Sequence, residues 1–407
     1  MKKILLKTLC LLLLAPFAFT GCASRIYADQ GKSDIDAKTQ DSVIDPDDLP
    51  EPLLDLSVVD QYGKSIAKVR ASDIGMITPY GMFYKVNNEY HLLRTENNNN
   101  EDVTLAAFDD ISYETEYART ILGGKLYTLA VSGDLMGSDP FTQWLLEFDL
   151  KNGTAERYKI SENGFPYSSL TSIGDKIILF FHDQKDVLND RIIEFDPATG
   201  KTSDIMTYYL DNNLKGDSVR SLCSDKDNLY ILRIKFNGNT DISMYIDVFD
   251  KEYKKVRELD ITDIAKEGAA QCISTEDPGE LANEFSQHIS GFRIIDGKYL
   301  YYQNFSVSRF ILDLEKGSVL YSIPEPFMCA PGDGELMFYT IMSIEELKTI
   351  DPYAVYRFDK GTLKKDPTIT VNDGQIIVSA TSSSDGKYMV TVADQDQKDY
   401  TNIIYVN

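Results

Sequence analysis

The stretch Arg191-Ile-Ile-Glu-Phe-Asp-Pro-Ala-Thr-Gly-Lys201, continuing as Thr202-Ser-Asp-Ile-Met206, decides the fold class. Ile193 and Phe195 fall on one side of an extended chain, and Ile192 and Glu194 on the other, which is the two-residue period of a strand. Residues 196–200 read as a turn. Asp196 can accept from its own backbone, Pro197 presets φ, and Gly200 tolerates positive φ. The unit is therefore strand, turn, strand.

This unit recurs. Trp144-Leu-Leu-Glu-Phe-Asp149 runs into Asn152-Gly153, and Phe310-Ile-Leu-Asp313 runs into Gly317, each with Gly four residues after Asp. Looser copies end at Phe108-Asp109, Phe249-Asp250 and Phe358-Asp359. A second piece, a polar turn and then an apolar run, precedes each copy. It reads Asn88-Glu-Tyr-His-Leu-Leu93, Gly124-Lys-Leu-Tyr-Thr-Leu129, Asp175-Lys-Ile-Ile-Leu-Phe180 and Asp227-Asn-Leu-Tyr-Ile-Leu232 in the first half. In the second half it reads Asp296-Gly-Lys-Tyr-Leu-Tyr301, Asp333-Gly-Glu-Leu-Met-Phe338 and Asp385-Gly-Lys-Tyr-Met-Val390.

Two motifs recurring in fixed order every ~40–50 residues predict an all-β, seven-bladed β-propeller. Six or eight blades, or a β-sandwich with similar hairpins, are the alternatives. The first four blades are expected at about 72–118, 119–160, 168–210 and 218–261. The last residues, Ile403-Ile-Tyr-Val-Asn407, align with Ile192-Ile-Glu-Phe-Asp196, so the chain ends on the third strand of its last blade. The missing fourth strand is expected from Leu53-Leu-Asp-Leu-Ser-Val-Val59, which would close the ring and remove an exposed edge.

Ahead of that strand the composition changes twice. Residues 1–21 have Lys2, Lys3 and Lys7, then an apolar run from Leu9 to Phe19, then small residues, the layout of an export signal. The run is too short for a spanning helix. Phe19-Thr20-Gly21-Cys22 resembles the lipobox of bacterial lipoproteins, although Phe19 stands where Leu is commoner. The resemblance implies that Cys22 is acylated and becomes the mature N-terminus, anchored in a lipid bilayer. The alternative is an ordinary secretory signal with an incidental Cys. Residues 22–52, with Asp45-Pro-Asp-Asp-Leu-Pro-Glu-Pro52, carry few large apolar side chains and are expected to be a flexible tether. The propeller is then 53–407, with no room for a second large domain.

The formal charge is −23, and losing Lys2, Lys3 and Lys7 with the signal takes it to about −26. Such a body lacks the basic footprint that nucleic acid needs, so no nucleic-acid partner is expected. Of the 5 cysteines, Cys10 leaves with the signal and Cys22 is the lipid site. Cys223, Cys272 and Cys329 remain, without CxxC spacing, and form no recognisable disulfide framework. Cys223, in an apolar strand, is expected to be buried.

Chemistry-bearing motifs are few. The 3 histidines, His91, His182 and His288, lack a second ligand at metal spacing. His91 is expected to be structural, and His182, opening a polar loop, is the one worth testing. Asp225-Lys-Asp-Asn228 looks like the start of a calcium loop but lacks the Gly and distal Glu, and reads as a turn. No GxSxG elbow, P-loop or dinucleotide fingerprint occurs, and no metal or cofactor is expected.

Ser383-Ser-Asp-Gly-Lys-Tyr388 resembles the SPDGK turn of TolB-like and peptidase-associated propellers, and Phe195-Asp-Pro-Ala-Thr-Gly-Lys201 is similar to the quinoprotein-type repeat. The second lacks the Trp that usually follows, so cofactor docking is not implied. Both resemblances imply fold only, and no catalytic residue carries over.

Long connections are expected at 95–102, 132–140, 261–287 and 340–352. Short helices are expected within 263–272 and 278–285, and one helical turn from the capping-box pattern Ser343-Ile-Glu-Glu346. All four connections are read as b–c or d–a links, which share one face of the disc in an antiparallel blade. That face is expected to meet a partner, unless the loops merely cover blade ends. The expected function is a membrane-anchored extracytoplasmic binding or scaffold module for a peptide, protein or glycan. The alternative is a glycan- or peptide-active hydrolase or lyase, for which two carboxylates would have to converge at the channel mouth.

Overall fold

A computed structural model describes residues 53–407 except 96–99, 134–140, 184–188, 212–214, 238–241, 267–288, 305–308, 324–326, 331, 341–350, 352, 370, 373, 395–398 and 407. The segment 1–51 separates from 52–407 as its own unit. The expected signal, Cys22 and the tether lie outside the described residues.

The body is a seven-bladed β-propeller, with strands a to d running outward from the axis in six blades and five strands in the seventh. The chain opens with β1 (Leu54–Asp60) and β2 (Ser65–Ala71). Blade one is β3 (Met76–Thr78), β4 (Gly81–Val86), β5 (Glu89–Arg94) and β6 (Glu101–Ala107). Blades two and three are β7 (Ile111–Leu122), β8 (Lys125–Ser132), β9 (Phe141–Asp149), β10 (Thr154–Ile173), β11 (Lys176–Asp183), β12 (Asn189–Asp196) and β13 (Lys201–Tyr209). The long β10 joins them into one seven-stranded sheet: its first half pairs with β9 and its second half with β11. Blade four is β14 (Lys215–Ser224), β15 (Leu229–Asn237), β16 (Ile242–Phe249) and β17 (Lys255–Asp260). Blade five is β18 (Ile289–Ile295), β19 (Tyr299–Asn304), β20 (Arg309–Asp313) and β21 (Ser318–Ser322). Blade six is β22 (Phe327–Cys329), β23 (Met337–Thr340), β24 (Tyr356–Asp359) and β25 (Thr362–Lys365). Blade seven is β26 (Gln375–Ser382), β27 (Tyr388–Asp394) and β28 (Tyr400–Tyr405), followed outward by β1 and β2.

The repeated turn has one geometry. In the turns after β9, β12 and β20 the glycine amide donates to the Asp main-chain oxygen at 2.8 Å, for Gly153–Asp149, Gly200–Asp196 and Gly317–Asp313. Each Asp carboxylate also accepts one or two amides inside the turn. The glycines sit at φ +73°, +66° and +64°, the left-handed region that a Cβ disfavours.

Closure takes place where expected but by a different pairing. β1 lies beside β28, with Leu56 opposite Tyr400 and Asp60 opposite Ile404, and it runs parallel to it. A fourth strand following β28 would run antiparallel. That direction belongs instead to β2, which pairs antiparallel with β1 and leads on to β3. The hairpin between them was not expected. It turns on Asp60, whose Oδ1 accepts from Tyr62 and Lys64 while its carbonyl accepts from Gly63, the same scheme that Asp250 builds in blade four. The Asp60–Lys64 segment carries turn chemistry, and the two-residue alternation on either side is enough for a ribbon.

Blade one also departs from the repeat. Asn88–Leu93 supplies a second strand in the repeat reading, as its counterparts do elsewhere, yet β5 is the third strand here. The extra inner strand is β3, three buried residues that lie outside the repeated motifs. β6 is mostly exposed and is the outer edge. The second blade accordingly begins at Ile111 rather than 119, and Phe108-Asp109 forms the link into it rather than a c–d turn. The 95–100 connection is therefore a c–d link and belongs to the opposite face from the one expected.

The core is a ring of interfaces between blades. Phe83, Tyr90 and Phe148 pack together between blades one and two, with Phe83–Phe148 and Tyr90–Phe148 centroids 5.1 and 4.7 Å apart. Leu56 and Val58 of β1 pack with Ile77, Met82, Tyr84, Met389 and Ile404 between blades seven and one. Cations bolt neighbouring blades through main-chain oxygens: Arg94 to Lys151 (2.9 Å), Arg257 to Glu315 (3.2 Å), Arg309 to Phe327 (2.6 Å) and Lys387 to Pro79 (2.6 Å). Arg293 does the same to Gly332.

Candidate functional site

Antiparallel order places the b–c and d–a links at one end of the disc. The strands flanking the connections β8–β9 (133–140), β17–β18 (261–288) and β23–β24 (341–355) end and resume there, so three of the four expected long links start and finish at that end. Residues 262–266 form a helical turn, started by Asp260 Oδ1 accepting from the Thr262 amide at 2.9 Å. The rest of the two expected helices, and Ser343–Glu346, lie outside the described residues. Because β1 is parallel to β28, its first residue also starts from this end.

The inner strands share a second feature. In five blades the a strand bulges against the b strand: at Glu114/Arg119, Gly164/Ser168, Val219/Ser221, Ile289/Gly291 and Ile377/Ser379. Each bulge lies a few residues before the a–b turn, so the five stand at similar depth around the axis. A bulge adds an unpaired residue, increases twist and re-aims side chains, and is common beside binding sites.

Most buried ionisable groups have their charges matched within the fold. Glu114 accepts from Arg119 Nη2 (2.8 Å) and Thr128 Oγ1 (3.0 Å), with Lys85 Nζ at 3.6 Å. Burial works against its charge, but Arg119 and Lys85 hold its carboxyl below the ordinary Glu range. In blade four a ladder crosses all four strands. Arg233 meets Asp217, Asp247 (2.9 Å) and Glu258 (3.0 Å), and Lys255 closes on Asp247 at 2.8 Å. Burial opposes the Arg233 charge, yet these carboxylates raise its pKa above the usual Arg range. In blade six Arg357 joins Glu335 (2.5 Å) and Asp366 (2.6 Å).

Arg220 differs. It is the inserted residue of the β14 bulge: Val219 faces Arg233 and Ser221 faces Leu232, leaving Arg220 without a cross-strand partner. Its Nη1 donates to Ser218 Oγ at 2.8 Å and to the Val219 carbonyl at 3.3 Å, and the guanidinium lies 5.9 Å from the Phe236 ring centroid. Its Nε is shielded from solvent and has no acceptor. No described carboxylate forms an ion pair with it. Burial pulls its pKa below the usual Arg range, and Asp190 offsets part of this. Ser218 and Phe236 lie toward the b–c end of β14 and β15, so the side chain leans to the long-connection end. No sequence signal marked Arg220, because a bulge depends on how two strands pair.

The other residues singled out by sequence are dispersed. His91 is on β5, stacked on Tyr84 (centroids 5.1 Å apart), with Asp102 and Glu89 at 3.5 and 3.4 Å. His182 is in β11 opposite Asp190. His288, Cys272 and Cys22 lie outside the described residues. Asp225–Asn228 is the a–b turn of blade four, its Asp225 Oδ1 accepting from the Asp227 and Asn228 amides and its Oδ2 from Tyr230. Cys223 is buried and Cys329 partly so, and both are free thiols. Burial raises both thiol pKa values, that of Cys329 to about 11. Among the described residues no group of three His, Cys, Asp or Glu is placed to hold a metal ion, and no helix is long and apolar enough to cross a membrane.

No protein-family model matches the chain, and no curated protein matches it. Solved propellers do. The β-propeller domain of the Trilobed protease from Pyrococcus furiosus is similar at 13% identity and TM-score 0.43, over 74% of this chain and 83% of that one. An acylaminoacyl peptidase from Pyrococcus horikoshii matches at 12% identity and TM-score 0.41, over 69% of this chain and 43% of that one. Porphyromonas gingivalis dipeptidyl peptidase 4 matches at 8% identity and TM-score 0.40, over 84% of this chain and 58% of that one. At these identities the likeness concerns the propeller fold alone.

Proposed function

We propose that this protein is an extracytoplasmic lipoprotein, anchored through acylated Cys22, whose propeller binds a peptide, protein or glycan at its long-connection end. The observation that carries the reading is Arg220, whose side chain leans toward the end of the disc where the strands flanking 133–140, 261–288 and 341–355 break off and resume. Rigid blades presenting long loops at one end are a common way to build a binding surface. The ion-pair clusters at Glu114, Arg233 and Arg357 support binding over the hydrolase or lyase alternative. Their carboxylates are matched by cations inside the fold, so they are not poised as a free acid and base.

The test is affinity capture from the cell envelope by the tagged protein, repeated with 134–139, 267–287 and 341–350 each replaced by a short Gly/Ser linker. Capture should fail with at least one replacement and survive shortening of 96–99 on the opposite face. Capture that survives all three replacements refutes the assigned face. Cys22→Ala should move the protein from the membrane to the soluble fraction, and continued membrane association would refute the lipid anchor.

A further inference from the structure

We propose that Arg220 is the anchor for a ligand carboxylate, supplied by a peptide C-terminus or a free organic acid, which reaches it from the long-connection end. This deepens the binding reading above and rests on it. Arginine cannot shed its proton in a protein, so a partly buried guanidinium whose Nε is shielded from solvent gains from an incoming acceptor. The other described arginines of the inner strands have one. Arg119 bonds Glu114, and Arg293 bonds the Gly332 carbonyl. Arg220 satisfies only Nη1, through Ser218 Oγ and the Val219 carbonyl. Its Nε is buried without an acceptor, and Nη2 makes no hydrogen bond with any described residue.

The unused Nε/Nη2 edge is one face of the planar fork that receives a carboxylate in two parallel hydrogen bonds. The arrangement is held in place. The main-chain amides on either side of the bulge are taken by the neighbouring blade, Val219 N by Asp190 Oδ2 at 2.6 Å and Leu222 N by Ser169 Oγ at 2.9 Å. The inserted residue therefore cannot slide back into register. Phe236 lies against the guanidinium and supplies an apolar wall. The net charge of −23 repels anions at long range, so the attraction must be local and short-ranged.

The experiment is calorimetric titration of the full chain with an N-acetylated tripeptide acid, its C-terminal amide, succinate and inorganic phosphate. The peptide acid or succinate should bind, and the amide about 10- to 100-fold more weakly, the factor expected for losing charge-assisted hydrogen bonds. Whichever of the peptide acid and succinate binds more tightly assigns the source. Arg220→Gln should abolish binding without lowering the unfolding temperature, since it removes an under-partnered charge. Arg220→Lys, which keeps charge but not the fork, should retain weak binding. Equal affinity for acid and amide, phosphate competing as well as the acid, binding unchanged in Arg220→Gln, or no binding by any probe would each overturn the proposal. Envelope capture lost on loop replacement but unaffected by Arg220→Gln would overturn it while leaving the binding face intact.

Discussion

Replacing Leu56 and Val58 together by Ala should weaken the closure of the ring between blades seven and one. Both side chains are buried, at 1% and 0% exposure, two residues apart on the same side of β1. They contact side chains from both blades, including Met389 and Ile404 on one and Ile77, Met82 and Tyr84 on the other. Leu→Ala at such a site costs about 2–5 kcal/mol including the cavity left behind. Val→Ala removes two methylene equivalents, about 1.6 kcal/mol in transfer alone. The two sites share a cavity, so the sum need not be additive, and about 4 kcal/mol is expected. The readouts are the urea midpoint at unchanged slope and hydrogen exchange across β27 and β28. Asp55→Ala, exposed on the other side of β1, is the control and should stay within about 0.5 kcal/mol. A loss below about 1 kcal/mol in the double variant, with exchange at 388–405 unchanged, would refute the view that β1 holds the ring shut.

Gly200→Ala should be more costly than Gly63→Ala. Both need left-handed φ, +66° and +78°, worth about 1–2 kcal/mol each for a residue with a Cβ. Only at Gly200 would the new Cβ also meet a ring, Tyr158 Cε1 at 3.2 Å, so equal losses in paired denaturation curves would contradict the turn geometry. Glu114→Gln should destabilise the protein at pH 7 by about 3 kcal/mol, because Arg119 and Lys85 then lose their buried counter-charge. The folded-state pKa of Glu114 is lowered, so the wild-type advantage is fully present above its ordinary value of 4.5 and is lost as pH falls through the lowered one. Stability measured against pH should show the two proteins converging in acid, and a constant gap would count against the ion pair.

The blade is legible in the residues alone. The Asp–Gly turn after a two-residue apolar alternation is local chemistry. It recurs in the structure as the same hydrogen bond after β9, β12 and β20. Chain ends that complete one another also showed in the sequence, because β28 copies a third strand and a spare apolar segment waits at the start. Tertiary structure alone decided the rest. Whether β1 runs with or against β28 depends on whether another strand follows it. Asp60–Lys64 makes that second strand out of a turn that reads in isolation as an ordinary surface loop. The identity of strand a in blade one turned on three buried residues, too few to show a period. Arg220 looked like any arginine in a strand, since the bulge that isolates it is a property of two strands in register, and register is fixed only when both are packed.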